Sequence, residues 1–216
     1  MPRLLQSTFI AGPTGRLEAL LEAPDDEVRI KRAAVICHPH PLHGGTMHNK
    51  VVFRLAKAAR RASAVVLRFN FRGVGQSAGS HDEGTGEQDD LRAALAYIAD
   101  RYPGLPLIAA GFSFGARVAL RVACGDPRVE RVVGAGVPVG RGDWSFLKHC
   151  GCAKAFVHST NDQYGERPVM EGVYGSAAGP KSLAWVEAKD HFFADALDQF
   201  EDAAFEAFTS GLAGGK

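Results

Sequence analysis

The sequence has 216 residues, of which 46% are hydrophobic and 23% are charged, and its 25 Lys and Arg residues nearly balance its 24 Asp and Glu residues, for a formal net charge of +1. This length suits one α/β domain with a large core and is short for two domains. Because acidic and basic residues are interspersed, we expect no electrostatic attraction to nucleic acid or to an anionic membrane surface.

The N-terminus and the cysteines bear on the cellular compartment. The first residues contain no apolar run long enough for a signal peptide, and no segment approaches the roughly 20 apolar residues of a membrane span. We expect the four cysteines, Cys37, Cys124, Cys150 and Cys152, to be reduced thiols. The sequence therefore predicts a cytoplasmic protein without a membrane partner.

A metal site at Cys150-Gly151-Cys152, next to His149, is not favoured. Zinc-binding cysteine pairs are usually separated by two to four residues, and the sequence has no second pair. We interpret these cysteines as small apolar residues at a boundary between a loop and a strand.

The first third of the chain predicts a β-hairpin, a buried strand and a helix. Residues 7–24 alternate weakly around a Gly-Pro-Thr-Gly turn, with one apolar face. An uninterrupted apolar run at 33–37 is typical of a strand buried on both faces. A helical pattern follows from Thr46 to Arg61. The apolar face of the hairpin consists of Leu17, Ala19 and Leu21.

The next elements are a strand from residue 64 to 71, a glycine-rich loop at 72–79 and a helix. The loop lacks the G-x-G-x-x-G pattern and no helix follows it directly, so we favour a tight turn over a nucleotide site. Thr85 and Gln88 have the spacing of a capping box, which predicts the start of the helix.

The stretch from Leu107 to Cys124 predicts a buried strand, a sharp turn and a helix. The turn, Gly111-Phe112-Ser113-Phe114-Gly115, fits the G-x-S-x-G pattern of a nucleophile elbow, in which the serine hydroxyl stands clear of the sheet. Gly125 and Pro127 are typical of a helix end. The alternative is an ordinary strand-turn-helix corner.

The remaining pattern continues the alternation of strands and helices. Apolar runs at 132–137, 153–157 and 183–186 predict strands, a weak helix is expected at 167–174, and a closing helix carries apolar residues at intervals of three and four. Alternating strands and helices predict a mostly parallel sheet covered on both faces, in a single domain spanning residues 1–216. The closing helix is expected to bury Phe193, Leu197, Phe200, Ala204 and Phe208, and to expose Asp195, Asp198, Glu201 and Glu206.

Candidate catalytic residues follow the predicted strands, because sites in such sheets lie at the carboxyl ends of the strands. A serine nucleophile needs a base, and the base needs a carboxylate. Ser113, Asp162 and His191 occur in the chain order of the α/β hydrolases. The alternatives are Asp143 as the acid, an Asx-turn role for Asp162, and a helix-capping role for His191.

An oxyanion hole would use the backbone N–H of Phe114 and one from the loop after the strand at 33–37. Prolines 39 and 41 have no N–H, which leaves His40 or Leu42, and we favour His40. A metal bound by His38 and His40 is less favoured than a structural role, because no carboxylate lies nearby in the sequence.

Several motifs together resemble a family of small bacterial α/β hydrolases that are carboxylesterase-like and distantly similar to dienelactone hydrolases. The resemblance covers the chain from about Ala33 onward. It implies a Ser-Asp-His triad at Ser113, Asp162 and His191 and an oxyanion donor in the His-Pro-His-Pro loop. Dienelactone hydrolases have a cysteine where this chain has Ser113, which weakens a claim of dienelactone substrates. The motifs are His38–Pro41, Gly44–Met47, Asn49–Val52, Phe69–Gly75, Gly111–Gly115 and Asp190–Phe193.

The sequence as a whole predicts an α/β-hydrolase fold without a separate cap domain and a serine hydrolase that cleaves small carboxylic esters without a metal or cofactor. A thioesterase, an amidase or peptidase, and a non-catalytic binding protein of the same fold remain alternatives. The expected partner is a small-molecule ester, and the protein is expected to be a monomer or homodimer. The segment between Val137 and Ala153 is too short for a cap, which predicts a pocket that is shallow or roofed only by Trp144, Phe146 and the His-Pro-His-Pro loop, and that prefers short acyl chains. The expected pocket residues are His38, Leu42, Trp144 and Phe146.

Overall fold

A computed structural model describes residues 5–24 and 29–210. Eight strands form one sheet in the order β1-β2-β4-β3-β5-β6-β7-β8. The strands are β1 (Leu5–Gly12), β2 (Gly15–Glu22), β3 (Arg32–Cys37), β4 (Ala64–Phe69), β5 (Leu107–Phe112), β6 (Val129–Ala135), β7 (Ala153–Ser159) and β8 (Lys181–Val186). The helices are α1 (Lys50–Arg61), α2 (Gly86–Arg101), α3 (Phe114–Gly125), α4 (Arg167–Ser176) and α5 (Leu197–Thr209).

The predicted mostly parallel sheet is confirmed. The hairpin β1–β2 lies at one edge and pairs antiparallel with β4, whereas β4, β3, β5, β6, β7 and β8 are parallel neighbours. The loops that follow these six strands therefore begin at the same edge of the sheet, and this edge carries the candidate functional residues. The architecture is the α/β-hydrolase fold.

Helices cover both faces of the sheet, which explains the uninterrupted apolar sequences of the parallel strands. In β3, Ala33 and Val35 face the core formed with α2 and α3, whereas Ala34 and Ile36 face the core formed with α1 and α5. The apolar face predicted for the hairpin is also confirmed, because Leu17, Ala19 and Leu21 are fully buried.

A buried carboxylate joins the two helices on one face of the sheet. Glu201 of α5 is only 4% exposed and accepts hydrogen bonds from Arg54, Lys57 and Arg61 of α1 at 2.8–3.0 Å. Burial raises the pKa of the Glu201 carboxyl, but these hydrogen bonds outweigh burial and hold the pKa below its usual value. The expectation that Glu201 faces solvent is therefore wrong.

Two predicted helix starts and one predicted capping contact differ from the structure, whereas α2 begins directly after Thr85 as predicted. Helix α5 begins at Leu197, so Phe193 and Asp195 precede it. Helix α1 begins at Lys50 rather than near Thr46, because the Asn49 side chain accepts the Val51 N–H at 2.9 Å and caps the helix there. The Thr85 side chain makes no capping bond to α2. The Glu87 carboxylate instead accepts the N–H groups of two preceding loop residues, at 2.8 and 2.9 Å.

The prediction that all four cysteines are reduced is wrong. Cys124, near the end of α3, forms a disulfide with Cys150, whereas Cys37 and Cys152 are free. The sequence does not reveal this pairing, because the two residues are 26 positions apart and meet only when the segment before β7 packs against α3. In residues 5–24 and 29–210, no helix is long and apolar enough to cross a membrane. The cytoplasmic location stays a prediction, and the disulfide weakens its basis because disulfides are rare in the cytosol.

Candidate active site

Ser113 lies in the turn between β5 and α3 with a backbone conformation that is rare for a residue with a side chain. Its φ is 56° and its ψ is −119°. Its backbone N–H donates to the Ala135 carbonyl at 2.9 Å, and its own carbonyl accepts the N–H groups of Ala116 and Arg117. These bonds hold the strained residue between the sheet and the first turn of α3. The turn therefore has the backbone geometry expected of a nucleophile elbow.

The glycines on either side of Ser113 are required by close backbone contacts. A Cβ atom on Gly111 would lie 2.3 Å from the Gly115 carbonyl oxygen. A Cβ atom on Gly115 would lie 2.5 Å from the His38 carbonyl oxygen and 2.6 Å from that of Cys37. Both distances are far below van der Waals contact, and the atoms met are backbone atoms that cannot rotate away. The helix α3 can therefore approach the end of β3 only with glycine at position 115.

The structure brings Ser113, His191 and Asp162 together. The Ser113 hydroxyl lies 2.9 Å from His191 Nε2, and His191 Nδ1 lies 2.7 Å from Asp162 Oδ2. An ionised carboxylate only accepts hydrogen bonds, so His191 Nδ1–H donates to Asp162 and Nε2 is left to accept the serine proton. Both His191 and Asp162 are buried, at 1% and 3% exposure, so their hydrogen bond is shielded from water.

Two further contacts fix the Asp162 carboxylate after β7. Oδ1 accepts the backbone N–H of Tyr164 at 2.8 Å, which is the local turn that was the alternative interpretation of this residue. The turn and the bond to His191 use different oxygen atoms, so Asp162 does both. Nε2 of the buried His158 lies 3.4 Å from Oδ2 and 2.7 Å from the Gly165 carbonyl oxygen. Burial lowers the pKa of His158, although the nearby carboxylate opposes this shift, and the lower pKa favours the neutral ring.

The rival acidic residues take part in local turns. The Asp143 carboxylate accepts the backbone N–H and the hydroxyl of Ser145, both at 2.8 Å, and lies on the surface. The Asp190 carboxylate, next to His191 in the sequence, accepts the backbone N–H groups of Phe192 and Ala194 at 2.9 and 3.1 Å and so bonds within its own loop. The His191 backbone N–H donates to the Gln163 side chain at 3.2 Å, a contact that sequence reasoning missed.

Two backbone N–H groups near Ser113 are available to a ligand. In the part of the chain that the structure describes, neither Phe114 N–H nor His40 N–H has a hydrogen-bond acceptor. The Leu42 N–H, the alternative to His40, donates to His40 Nδ1 at 3.2 Å and is occupied. Gly45 lets the loop close, because a Cβ atom there would lie 2.1 Å from the Pro39 carbonyl oxygen. His40 therefore suits the role of second oxyanion donor better than Leu42 does.

A cavity of about 330 Å³ opens directly above Ser113. The cavity is lined by both apolar and charged side chains. The lining residues include Pro39, His40, His43, Glu83, Ser113, Phe114, Arg117, Pro138, Arg141, Tyr164, His191 and Phe192. The four residues predicted from the sequence as pocket candidates, His38, Leu42, Trp144 and Phe146, do not line this cavity.

His38 and Leu42 are excluded from the cavity by the path of the loop after β3. His38 is fully buried below the loop, where Nδ1–H donates to the Pro39 carbonyl at 2.6 Å and Nε2 accepts the Phe71 N–H at 3.0 Å. Burial lowers the pKa of His38 to about 4, so the ring is neutral at pH 7. Leu42 lies in a short 3₁₀ helix and points to solvent, with 68% of its surface exposed.

Trp144 and Phe146 pack away from the cavity because their segment folds against α3. The Trp144 ring is buried in the core, and its Nε1–H donates to the Arg141 carbonyl at 3.0 Å. The Phe146 ring lies 4.0 Å from the Arg121 guanidinium. The disulfide between Cys124 and Cys150 ties the same segment to α3.

The histidines of the loop do not form a chelating cluster. The His40 and His43 rings stack with centroids 4.4 Å apart, while His38 lies buried below them. Within residues 5–24 and 29–210, no group of three or more His, Cys, Asp or Glu side chains is placed to hold a metal ion.

The elbow, the parallel sheet and the Ser-His-Asp contact define an α/β hydrolase. Comparison with known proteins identifies the family. Residues 31–166, more than half of the chain, match the sequence model of the serine aminopeptidase S33 family. An uncharacterized protein of Rickettsia prowazekii is 31% identical over 207 residues, which cover 90% of this chain and 85% of that protein. The chain therefore belongs to this family of α/β serine hydrolases.

Two solved structures are similar over nearly the whole chain. A Xanthomonas campestris protein, described as an α/β serine hydrolase without a lid, is 31% identical with a TM-score of 0.88, covering 100% of this chain and 99% of its own. An α/β serine hydrolase homologue from Coxiella burnetii is 32% identical with a TM-score of 0.88, covering 93% of this chain and 96% of its own.

The close backbone contacts at Gly115 predict that a methyl group added at this position destabilises the fold. We expect Gly115→Ala to lower the free energy of unfolding by about 1–3 kcal/mol, because the new Cβ forces α3 away from the end of β3. Gly125→Ala, at the end of the same helix, is the matched control, because a Cβ there meets no atom within 4 Å among the residues described. We expect a change within about 0.5 kcal/mol for the control. Urea unfolding measures both, and equal effects of the two substitutions would contradict the packing argument.

Proposed function

We propose that this protein is a serine esterase that cleaves small carboxylic esters through an acyl-enzyme intermediate. The observation that carries the proposal is the continuous contact from Ser113 through His191 to Asp162, beside a cavity with two unoccupied backbone N–H groups. These are the parts that acyl transfer requires, namely a nucleophile, a base held in one tautomer, and donors for the developing oxyanion.

The proposed reaction begins when the Ser113 oxygen attacks the ester carbonyl carbon and His191 Nε2 takes the hydroxyl proton. The carbonyl oxygen gains the negative charge and accepts hydrogen bonds from the N–H groups of Phe114 and His40. The intermediate collapses with cleavage of the C–O bond, and His191 returns the proton to the departing alcohol oxygen. Water then attacks the acyl carbon while His191 Nε2 takes a proton from the water. The bond between the acyl carbon and the Ser113 oxygen breaks, His191 returns the proton to that oxygen, and the carboxylic acid leaves. These steps balance without a cofactor or a metal ion.

Asp162 supports this sequence electrostatically without changing its own protonation. Its carboxylate fixes the Nδ1–H tautomer of His191 and stabilises the imidazolium that forms after the serine proton is taken. The Tyr164 N–H donates to Oδ1 of the carboxylate, and the His158 ring lies 3.4 Å from Oδ2, so both oxygen atoms have polar neighbours although Asp162 is buried.

The charges in the cavity favour an ester substrate over an N-terminal peptide. An aminopeptidase must bind the α-ammonium group of its substrate, which requires acidic side chains near the nucleophile. The charged side chains that line this cavity are Glu83, Arg117 and Arg141, so basic groups outnumber acidic ones. A cation would therefore be disfavoured, whereas a neutral or anionic ester is accepted.

Kinetics of the triad variants test the proposal. We expect wild-type protein to hydrolyse 4-nitrophenyl acetate and butyrate, and Ser113→Ala to lower kcat by about 10⁴-fold or more because the nucleophile is lost. Asp162→Asn should lower kcat by about 10⁴-fold, because the amide stabilises the wrong His191 tautomer. Circular dichroism checks that the variants remain folded. Hydrolysis by folded Ser113→Ala at the wild-type rate would contradict the proposed nucleophile.

The role of the His40 backbone can be tested separately from that of its side chain. His40 has a φ of −52°, which is within the range of proline, so His40→Pro removes the N–H with little backbone change. His40→Ala is the control, because it removes the ring but retains the N–H. We expect His40→Pro to lower kcat for 4-nitrophenyl butyrate by about 10²- to 10³-fold relative to His40→Ala. Equal kcat values for the two variants would exclude this donor.

A further inference from the structure

Arg117 is the charged side chain whose place next to Ser113 the proposed mechanism leaves unexplained. It lines the cavity together with the nucleophile, and its side chain is half-buried. In residues 5–24 and 29–210, no carboxylate forms an ion pair with it. Sequence reasoning did not single it out, although it follows Ser113 by four residues and lies in the first turn of α3.

The position of Arg117 relative to the nucleophile follows from helix geometry. Its backbone N–H donates to the Ser113 carbonyl at 3.1 Å, so Arg117 lies one helical turn beyond the nucleophile. Four residues correspond to about 6 Å along the helix axis. Because Arg117 and Ser113 also line the same cavity, a ligand bound there can contact the guanidinium while its carbonyl carbon lies at Ser113.

The guanidinium is held in place but retains free donors. Its Nη2 donates to the Glu83 carbonyl at 3.0 Å, and its carbon lies 5.7 Å from the centroid of the Phe114 ring. A guanidinium has five N–H donors, and one bond to a backbone carbonyl leaves the others available. Because the group is already oriented, it loses little conformational freedom when it binds a ligand.

The surroundings of Arg117 favour an anion. Arg141 lies exposed at the rim of the same cavity, and Glu83 is the acidic residue that lines it. The Glu83 carboxylate is 87% exposed and lies 3.7 Å from His81 Nε2, so water screens much of its charge. Burial lowers the pKa of His40, and the nearby His43, His81 and Arg117 lower it further, whereas Glu83 opposes this shift.

The acyl side of the substrate is the side that faces Arg117. The leaving oxygen must lie near His191 Nε2, which protonates it in the proposed reaction. Arg117 contacts Phe114 and the Glu83 carbonyl, on the side of the elbow that carries the oxyanion donor Phe114. We therefore assign the group that extends toward Arg117 to the acyl chain, and the alcohol to the side of His191.

We propose that Arg117 binds a carboxylate at the end of a short acyl chain, so that the preferred substrates are monoesters of dicarboxylic acids. The planar fork of the guanidinium matches a carboxylate and forms two parallel charge-assisted hydrogen bonds with it. The free product would be a dicarboxylate. This inference rests on the proposed esterase function, because it assumes that the acyl group is attached at Ser113.

The experiment compares an anionic ester with a neutral ester of similar shape. Ethyl hydrogen glutarate carries the terminal carboxylate, and ethyl 5-oxohexanoate has a methyl ketone in its place. Acid release is followed by titration at constant pH, and the ratio of the two kcat/KM values is the readout. We expect Arg117→Met to lower the ratio of anionic to neutral ester by about tenfold, which is the effect of losing one charge-assisted pair in a partly exposed site.

Arg121→Met is a matched control for the loss of one positive charge from the same helix. Arg121 is also half-buried on α3, donates to a backbone carbonyl at 2.8 Å and lies over the Phe146 ring, but it does not line the cavity. We expect this variant to keep the ratio within twofold of wild type. An equal ratio in wild type and Arg117→Met, or an equal fall in both variants, would overturn the role of Arg117.

A binding measurement separates failure of this inference from failure of the proposed function. Ethyl hydrogen glutarate is titrated into Ser113→Ala and into the double variant Ser113→Ala/Arg117→Met in a calorimeter. If Ser113→Ala binds the ester and the double variant binds it about tenfold more weakly, the result supports the carboxylate site, even if wild type hydrolyses no ester. Absence of binding to Ser113→Ala, or equal affinity for both variants, would overturn the site, even if the protein is an esterase.

Discussion

The close approach of Gly115 to the end of β3 is the constraint on which the site depends. The absence of a side chain at position 115 lets the first turn of α3 lie against the carbonyl groups of Cys37 and His38. This contact brings the loop after β3 beside the turn that carries Ser113. As a result, the N–H groups of Phe114 and His40, which belong to different elements, both line the cavity above the serine. A methyl group here would separate the two proposed oxyanion donors.

The parallel sheet then supplies the remaining parts from strands that are not sequence neighbours of β5. Asp162 follows β7 and His191 follows β8, two and three strands away from β5 in the sheet. The Asp162 turn and the side chain of Gln163, which accepts the His191 N–H, hold the imidazole over Ser113. The loops after β7 and β8 therefore carry Asp162 and His191 toward Ser113, and the bond from His191 N–H to Gln163 holds the two loops together.

Local patterns of the sequence were sufficient to predict the elbow and the residues that meet there. The two glycines around Ser113 are required by backbone contacts at the turn, and the pattern that indicates them is only five residues long. The carboxyl ends of parallel strands lie at the same edge of the sheet, so residues that follow the strands are close together. His158 and Arg117 were missed although they have i, i+4 spacing with Asp162 and Ser113. The spacing could have indicated that each residue lies near a catalytic candidate. It does not reveal whether the side chain faces the cavity, which depends on how the helix or strand packs.

The long-range features could not be predicted in this way. The disulfide between Cys124 and Cys150 depends on how the segment before β7 packs, and this packing also turns Trp144 and Phe146 away from the cavity. The missing Thr85 cap has a local cause, because the Glu87 carboxylate bonds to N–H groups of the loop just before the helix. Contacts between separated segments therefore explain the disulfide and the two aromatic side chains, and a competing local contact explains Thr85.

The most direct test of the account is covalent labelling by a fluorophosphonate, read by intact mass on wild type and Ser113→Ala. Phosphonylation requires an activated serine and donors for the phosphoryl oxygen, whichever substrate the protein takes. The account predicts one adduct on wild type and none on the variant. An unlabelled wild type, or a label that persists in Ser113→Ala, would contradict it.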